Sequence, residues 1–179
     1  SMCMVYKALD VARYIINHEA TEGRTVSNLR LQKLLYFVQC AFLGVLGHAC
    51  FNDIIEAWDY GPVVPDVYRK YKVYGGTMIP ADSVSKQKFD ADEKNLVDLM
   101  LDTCAAKQTG ELVNITHMQA PWRDAYVPGM NNLISQDAIR QFRSKPYGEY
   151  NVGSENKYRY ETAWYGSEKR QNLRDFTGF

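Results

Sequence analysis

Net charge is the first thing missing. The chain of 179 residues carries 21 basic and 21 acidic side chains. No global field therefore draws it toward nucleic acid or an anionic membrane, which leaves only a local patch for either role. Cysteine is sparse and scattered: Cys3, Cys40, Cys50 and Cys104 form no CxxC pair and no tight framework, which excludes a disulfide scaffold or zinc ribbon. Cys40 and Cys104 fall within apolar helical patterns, where a free cysteine acts as a small hydrophobe. No run of eighteen apolar residues exists, and no basic segment leads into an apolar stretch at the N-terminus. A soluble cytoplasmic protein with no membrane partner is expected. Internal repeats and low-complexity segments are also absent.

Catalytic motifs are missing too. His18-Glu19 begins the HExxH zinc-protease pattern, but Glu22 stands where the second imidazole belongs. Gly153-Ser154 and Gly166-Ser167 lack the second glycine of a nucleophile elbow. There is no Walker loop or dinucleotide fingerprint. His48, Cys50 and Asp53 lie close together in sequence, but such clusters more often mark a helix end than a metal site. Asp90, Asp92 and Glu93 suit the dipole of a helix start without acid–base chemistry. The expectation is a non-catalytic protein without cofactor or metal. An unrecognised enzyme or metal protein built around His48, Cys50 and His117 is kept as an alternative.

What the chain does have is hydrophobic periodicity. Hydrophobic residues make up 46% and charged residues 23% of the sequence, and a chain this long buries roughly 68–70% of its unfolded surface. The pattern predicts a mainly α (α+β) fold, a compact bundle of about five to six helices around a central apolar helix at 28–46. Val5, Ala8, Leu9, Ala12, Ile15 and Ile16 share one face of a first helix over 5–19. Ser27 caps the second, in which Leu31, Leu34, Leu35, Val38, Phe42 and Val45 recur at three- and four-residue spacing, with Gly47 at the exit. A β-like run over 53–60 ends at Gly61-Pro62, and Pro65 opens a third helix that stops at Gly75-Gly76. Residues 90–107 form a fourth, with Leu96, Leu99, Met100 and Cys104 facing inward. Short helical pieces at 110–117 and 122–126 follow, and Ser135 caps a last helix through Phe142.

Residues 1–143 are read as the domain and 144–179 as an aromatic-rich extension, packed on that domain or on a second chain. In the extension Tyr158, Tyr160, Thr162 and Trp164 alternate with Lys157, Arg159, Glu161 and Ala163, a period-two pattern that marks one half-buried strand near 157–165. That strand would join the small β element near 53–60 or mediate a homo-oligomer.

The stretch EAWDYGPVVPDVYRKY (56–71) mixes aromatics with Arg69 and Lys70, a composition that can stack bases and hold phosphates. Helical spacing favours a plainer account, with Val67, Tyr71 and Tyr74 inward, Arg69 and Lys72 solvated, and Asp66 paired with Lys70.

Together with LRLQKLLYFVQ (29–39) and LVNITHMQAPWRDAY (112–126), this stretch resembles the Panacea, or SocA-like antitoxin, domain of bacterial and phage toxin–antitoxin systems. The likeness runs from about Val5 to Phe142. It implies a helical, prophage-associated antitoxin that neutralises a cognate toxin by direct protein contact, with a proteolytic-adaptor role toward a Clp-type protease as a further expectation. The family pattern maps to Leu31, Gln32, Lys33, Leu34, Tyr36, Trp58, Tyr60, Gly61, Pro62, Val63, Tyr68, His117, Pro121 and Trp122. Gln119-Ala120 departs from it, standing where many relatives carry an acidic residue. Candidate partner-binding residues are Trp58, Asp59, Tyr60, Gly61, Pro62, Tyr68, His117, Trp122 and Arg123, with Tyr158, Tyr160 and Trp164 in the extension. A nucleic-acid-binding regulator of such an operon is the alternative, against which the balanced charge counts.

Overall fold

The structure, a computed structural model, describes residues 5–81 and 87–144. Helix α1 (Ala8–Thr21) is followed by α2 (Asn28–Ala41), which runs on into a π turn over Phe42–Leu46. Strands β1 (Ile55–Trp58) and β2 (Gly61–Val63) form a hairpin, and α3 (Pro65–Tyr71) continues as a 3-10 turn over Lys72–Tyr74. Then come α4 (Ala91–Ala105), α5 (Thr109–Met118), α6 (Ala120–Ala125), β3 (Leu133–Ile134) and α7 (Gln136–Ser144). The fold is mainly helical, as the periodicity requires, with a three-stranded antiparallel sheet ordered β2-β1-β3. The extension, including the expected strand near 157–165, lies outside the described residues.

Helix α2 is the axis of the molecule. The Ser27 side chain accepts a hydrogen bond from the Arg30 N–H at 3.2 Å, satisfying one orphan donor of the first turn. Every residue from Leu31 to Leu43 is buried. By length and composition Asn28–Leu46 has the makings of a membrane span, yet 83% of it is buried inside the fold; it is a core helix. Helix α1 packs on it, pinned at its start by the Asp53 carboxylate, which accepts the Ala8 N–H at 3.0 Å. The π turn rotates the end of α2 away from the α-helical register. Leu43 is therefore buried while Val45, expected in the core, is 62% exposed. Val5 also lies outside the core, ahead of the first helical turn.

Helix α4 starts in a capping box. The Asp90 carboxylate takes the Glu93 N–H, and Glu93 reaches back to the Asp90 N–H. Glu93 is itself buried and accepts the Tyr6 hydroxyl. Anchoring this first turn sets the helix rotation, so Val97, Leu101 and Cys104 face the core, Leu96 and Met100 flank it, and Leu99 is exposed, contrary to the face predicted above. The other end of α4 is closed by Arg30, whose guanidinium donates to the Cys104 and Lys107 carbonyls at 2.8 and 2.9 Å. Between α1 and α4, Arg24 forms a two-pronged pair with the buried Glu19 (2.7 and 2.9 Å) and reaches Asp102 at 2.8 Å. The His18 ring lies between Asp98 and Asp102. The His18-Glu19 pair is thus built into a helix–helix ion network.

In α3, Val67 and Tyr71 are buried, but Tyr74 sits in the 3-10 turn at the surface and stacks on Tyr71. Asp66 pairs with Arg69 one turn away, not with Lys70. The β run is also more folded than expected: Gly61-Pro62 does not end it but starts the return strand. Glu56 faces Val63 and Trp58 faces Gly61. Proline is tolerated in β2 because that strand lies at the sheet edge.

Candidate functional site

The hairpin β1–β2 projects a tight turn, Trp58-Asp59-Tyr60-Gly61, against the loop between α5 and α6. Gly61 has φ +104°, and a Cβ there would sit 2.6 Å from Thr116 Oγ1 and 3.1 Å from Lys33 Nζ. Only glycine fits that backbone angle and that gap. Thr116 closes the gap on one side and Lys33 on the other. The Lys33 side chain is fully buried and its Nζ–H donates to the Pro62 carbonyl at 2.7 Å. Burial pushes its pKa well below the ordinary lysine value.

Lys33 is one of a line of polar side chains on α2 that hold irregular backbone in place. Gln32 accepts the Val64 N–H at 2.9 Å and donates to Asn28 at 2.9 Å, while Asn28 donates to the Tyr68 carbonyl at 3.1 Å. Gln39 bridges Cys50 N–H (2.8 Å) and the Phe51 carbonyl (2.7 Å). The Tyr36 hydroxyl donates to Gln119 Oε1 at 2.8 Å, so Gln119 serves as the acceptor that ties the α5–α6 junction to the core helix. These buried polar groups are each hydrogen-bonded, as burial demands.

On this frame sits an aromatic stack. The rings of His117, Trp122 and Tyr126 lie in near-parallel sequence, with centroids 4.0 Å and 4.4 Å apart. The Trp122 indole N–H donates to the Trp58 carbonyl at 2.8 Å, locking α6 to the hairpin turn. The Tyr126 hydroxyl donates to the Asp59 carboxylate, which pushes the tyrosine pKa up to about 12. On the other side, Trp58 meets Tyr68 of α3 edge-on with centroids 4.8 Å apart, and its indole N–H donates to Glu56 at 2.9 Å. Tyr60 packs on Leu29 and Val113. Arg123 is exposed on α6 and donates to the Met118 carbonyl at 3.3 Å.

Nine candidate residues separated by up to 65 positions in sequence therefore meet at one corner. Trp58, Tyr60, Tyr68 and His117 are half-buried, Asp59 and Arg123 are exposed, and Gly61, Pro62 and Trp122 are buried. Tyr126 belongs to the same corner and was missed as a site residue, although it ends the quoted LVNITHMQAPWRDAY stretch. Gln39 and Asn28 were also missed. The signal for Gln39 is a polar residue in the part of α2 that is otherwise nearly apolar after Lys33; Asn28, at the first position of the helix, has none. Tyr158, Tyr160 and Trp164 lie outside the described residues. His48 is elsewhere: its ring meets Phe42 edge-on with centroids 5.8 Å apart. The Cys50 thiol is buried and its pKa is pushed well up by desolvation.

The model of the family described as "Antitoxin SocA-like, Panacea domain" matches residues 31–123. The chain belongs to that family. The match takes in α2 from Leu31 onward, the hairpin, α3, α4, α5 and the first residues of α6, and with them every motif residue of the corner from Lys33 to Arg123. Antitoxin SocA of Caulobacter vibrioides (strain NA1000 / CB15N) is similar, with 32% identity over 124 residues. That alignment covers 63% of this chain and 66% of the Caulobacter protein. No solved structure matches the chain.

Proposed function

We propose that this chain is an antitoxin that neutralises a cognate toxin protein by direct contact, and that the Trp58–Trp122 corner is its contact face. The observation that carries this reading is the convergence of the motif residues, within the span matched by the family, on one half-exposed aromatic surface. Trp, Tyr and Arg dominate binding hot spots, and such anchors work best when their rotamers are already held. Here Trp58 is fixed by Glu56 and Tyr68, and Tyr126 by Asp59. The polar line on α2 holds the backbone beneath them.

Nucleic-acid binding draws less support. Of the basic residues near the corner, Arg69 is paired with Asp66, and Arg123 lies beside Asp124.

The test is co-expression with the product of the adjacent reading frame. Growth rescue and co-purification are expected with the parent chain, and both are expected to fail for Trp58→Ala with Tyr68→Ala. Absence of both rescue and co-purification with the parent chain would defeat the proposal. Repeating the rescue in a host lacking Clp-type proteases separates direct blocking, which survives, from delivery for proteolysis, which does not.

A further inference from the structure

Two carboxylates at the corner have no cation to answer them. Glu56 lies two positions before Trp58 on the same face of β1, and Asp59 follows Trp58 in the turn. Glu56 accepts the Trp58 indole N–H at 2.9 Å through Oε1, and Asp59 accepts the Tyr126 hydroxyl through Oδ1. Both donors are neutral. Among the described residues neither carboxylate is paired with an arginine, lysine or histidine, and Oε2 of Glu56 and Oδ2 of Asp59 accept no hydrogen bond. By contrast, Asp10, Asp66, Asp98, Asp102 and Asp124 are each paired with an arginine or lysine. Asp92, Glu111 and Asp137 stand in the first turns of helices, where the dipole suits a negative charge. The cations at the edge of the corner are already engaged: Arg69 by Asp66, and Arg123 by Asp124 and the Met118 carbonyl.

A carboxylate bonded to a neutral donor keeps its full charge, and the face of an indole ring beside it is also electronegative. One protein side chain answers both. A guanidinium lies flat on an aromatic ring while its fork of N–H groups reaches carboxylate oxygens. A phosphate backbone would instead meet two negative charges, so the chemistry favours a protein over a nucleic acid. We propose that the toxin anchors on this corner through arginine. One guanidinium lies on the accessible part of the Trp58 ring and donates to Oε2 of Glu56, and further basic charge on the same toxin surface faces Asp59. This inference rests on the reading of the corner as the toxin-contact face, and adds to it the chemistry of the partner.

The experiment measures the affinity of the full chain for the purified product of the adjacent reading frame, by titration calorimetry at low and high salt. Glu56→Gln and Asp59→Asn remove charge yet keep an acceptor oxygen for the Trp58 indole and the Tyr126 hydroxyl, so melting temperatures should match the parent. At low salt Glu56→Gln should weaken binding about tenfold and Asp59→Asn a few-fold, and the double variant should lose most of the salt dependence. Asp92→Asn, on the exposed start of α4, should bind as the parent does. A double variant that binds like the parent while Trp58→Ala is weakened overturns the arginine anchor and leaves the contact face standing. Parental affinity in Trp58→Ala as well defeats the contact face itself. Tighter binding by the neutral variants would mark an acidic or phosphate-bearing partner and also overturn the proposal. A second readout looks from the toxin side. Phenylglyoxal should modify at least one toxin arginine about tenfold more slowly in the complex than in free toxin, and this protection should vanish with the double variant. Equal reactivity of every toxin arginine, free and bound, would overturn the proposal.

Discussion

Replacing Gly61 by alanine tests the geometry beneath the corner. The added Cβ meets two obstacles at once. At φ +104° an L-residue is strained, which costs about 1–3 kcal/mol. The methyl also lands 2.6 Å from Thr116 Oγ1 and 3.1 Å from Lys33 Nζ, and overpacking of this kind adds about 1–3 kcal/mol. Neither neighbour gives way freely. Thr116 Oγ1 donates to the Val113 carbonyl at 2.7 Å in a buried site, and Lys33 is held by Pro62. The sum, about 2–6 kcal/mol, is a large part of the ~5–15 kcal/mol that ordinarily separates folded from unfolded chains. In urea, with a slope of about 2 kcal/mol per molar, the midpoint should fall by about 1–3 M. Thr116→Ala should relieve the closest contact, so the double variant should be more stable than the sum of the two single losses by about 0.5–3 kcal/mol. If Gly61→Ala unfolds within 0.5 kcal/mol of the parent, or the two changes simply add, the close-packed hairpin described here is wrong.

Three further outcomes follow from the same contacts. Trp122→Phe keeps the stack but removes the indole donor from the Trp58 carbonyl, and should cost about 1–3 kcal/mol in chemical denaturation. Lys33→Met should flatten the pH dependence of stability. Burial depresses the Lys33 pKa in the folded state, so the unfolded chain binds more protons, and parent stability rises with pH from the folded pKa toward the ordinary lysine value. The rise is best read below about pH 8.5, because the buried thiols of Cys40, Cys50 and Cys104 have raised pKa values that lower stability as pH climbs past the ordinary thiol range. An equally steep rise in Lys33→Met would place its source elsewhere. Finally, Arg24→Met strands the buried Glu19 carboxylate and should cost about 3–5 kcal/mol, a loss largely recovered by adding Glu19→Leu; thermal melts of the single and double variants decide it.

The parts of the fold legible in the sequence are those where local rules and burial agree. The cap at Ser27, the apolar repeat of α2 and the stop at Gly47 identify one helix unaided, and Pro65 opens α3 where its missing N–H does no harm. Errors arise where tertiary contacts decide. Rotation of α4 is set by the bond from Tyr6 to the buried Glu93 across 87 positions, which no helical wheel contains, and the wheel alone turns Leu99 inward. The π turn carries Val45 out of the core. Strand β3 is only two residues long, too short to show alternation, and exists because β1 offers it a partner. For the corner, motif stretches gave the residues, but not the bonds from Trp122 to Trp58 or from Tyr126 to Asp59. Gln32 and Lys33 are legible only as positions of the family pattern, and the role of these two and of Gln39 as backbone anchors depends on loops brought alongside by the whole fold.

The central claim is that the aromatic corner binds the toxin, and affinity for the purified product of the adjacent reading frame measures it most directly. By titration calorimetry, Trp58→Ala should weaken binding about 30-fold or more, as hot-spot anchors worth 2 kcal/mol or above require, while the circular dichroism spectrum stays that of the parent. Leu99→Ala, on the exposed face of α4, should bind as the parent does. Full affinity in Trp58→Ala, or a loss confined to Leu99→Ala, would contradict the account.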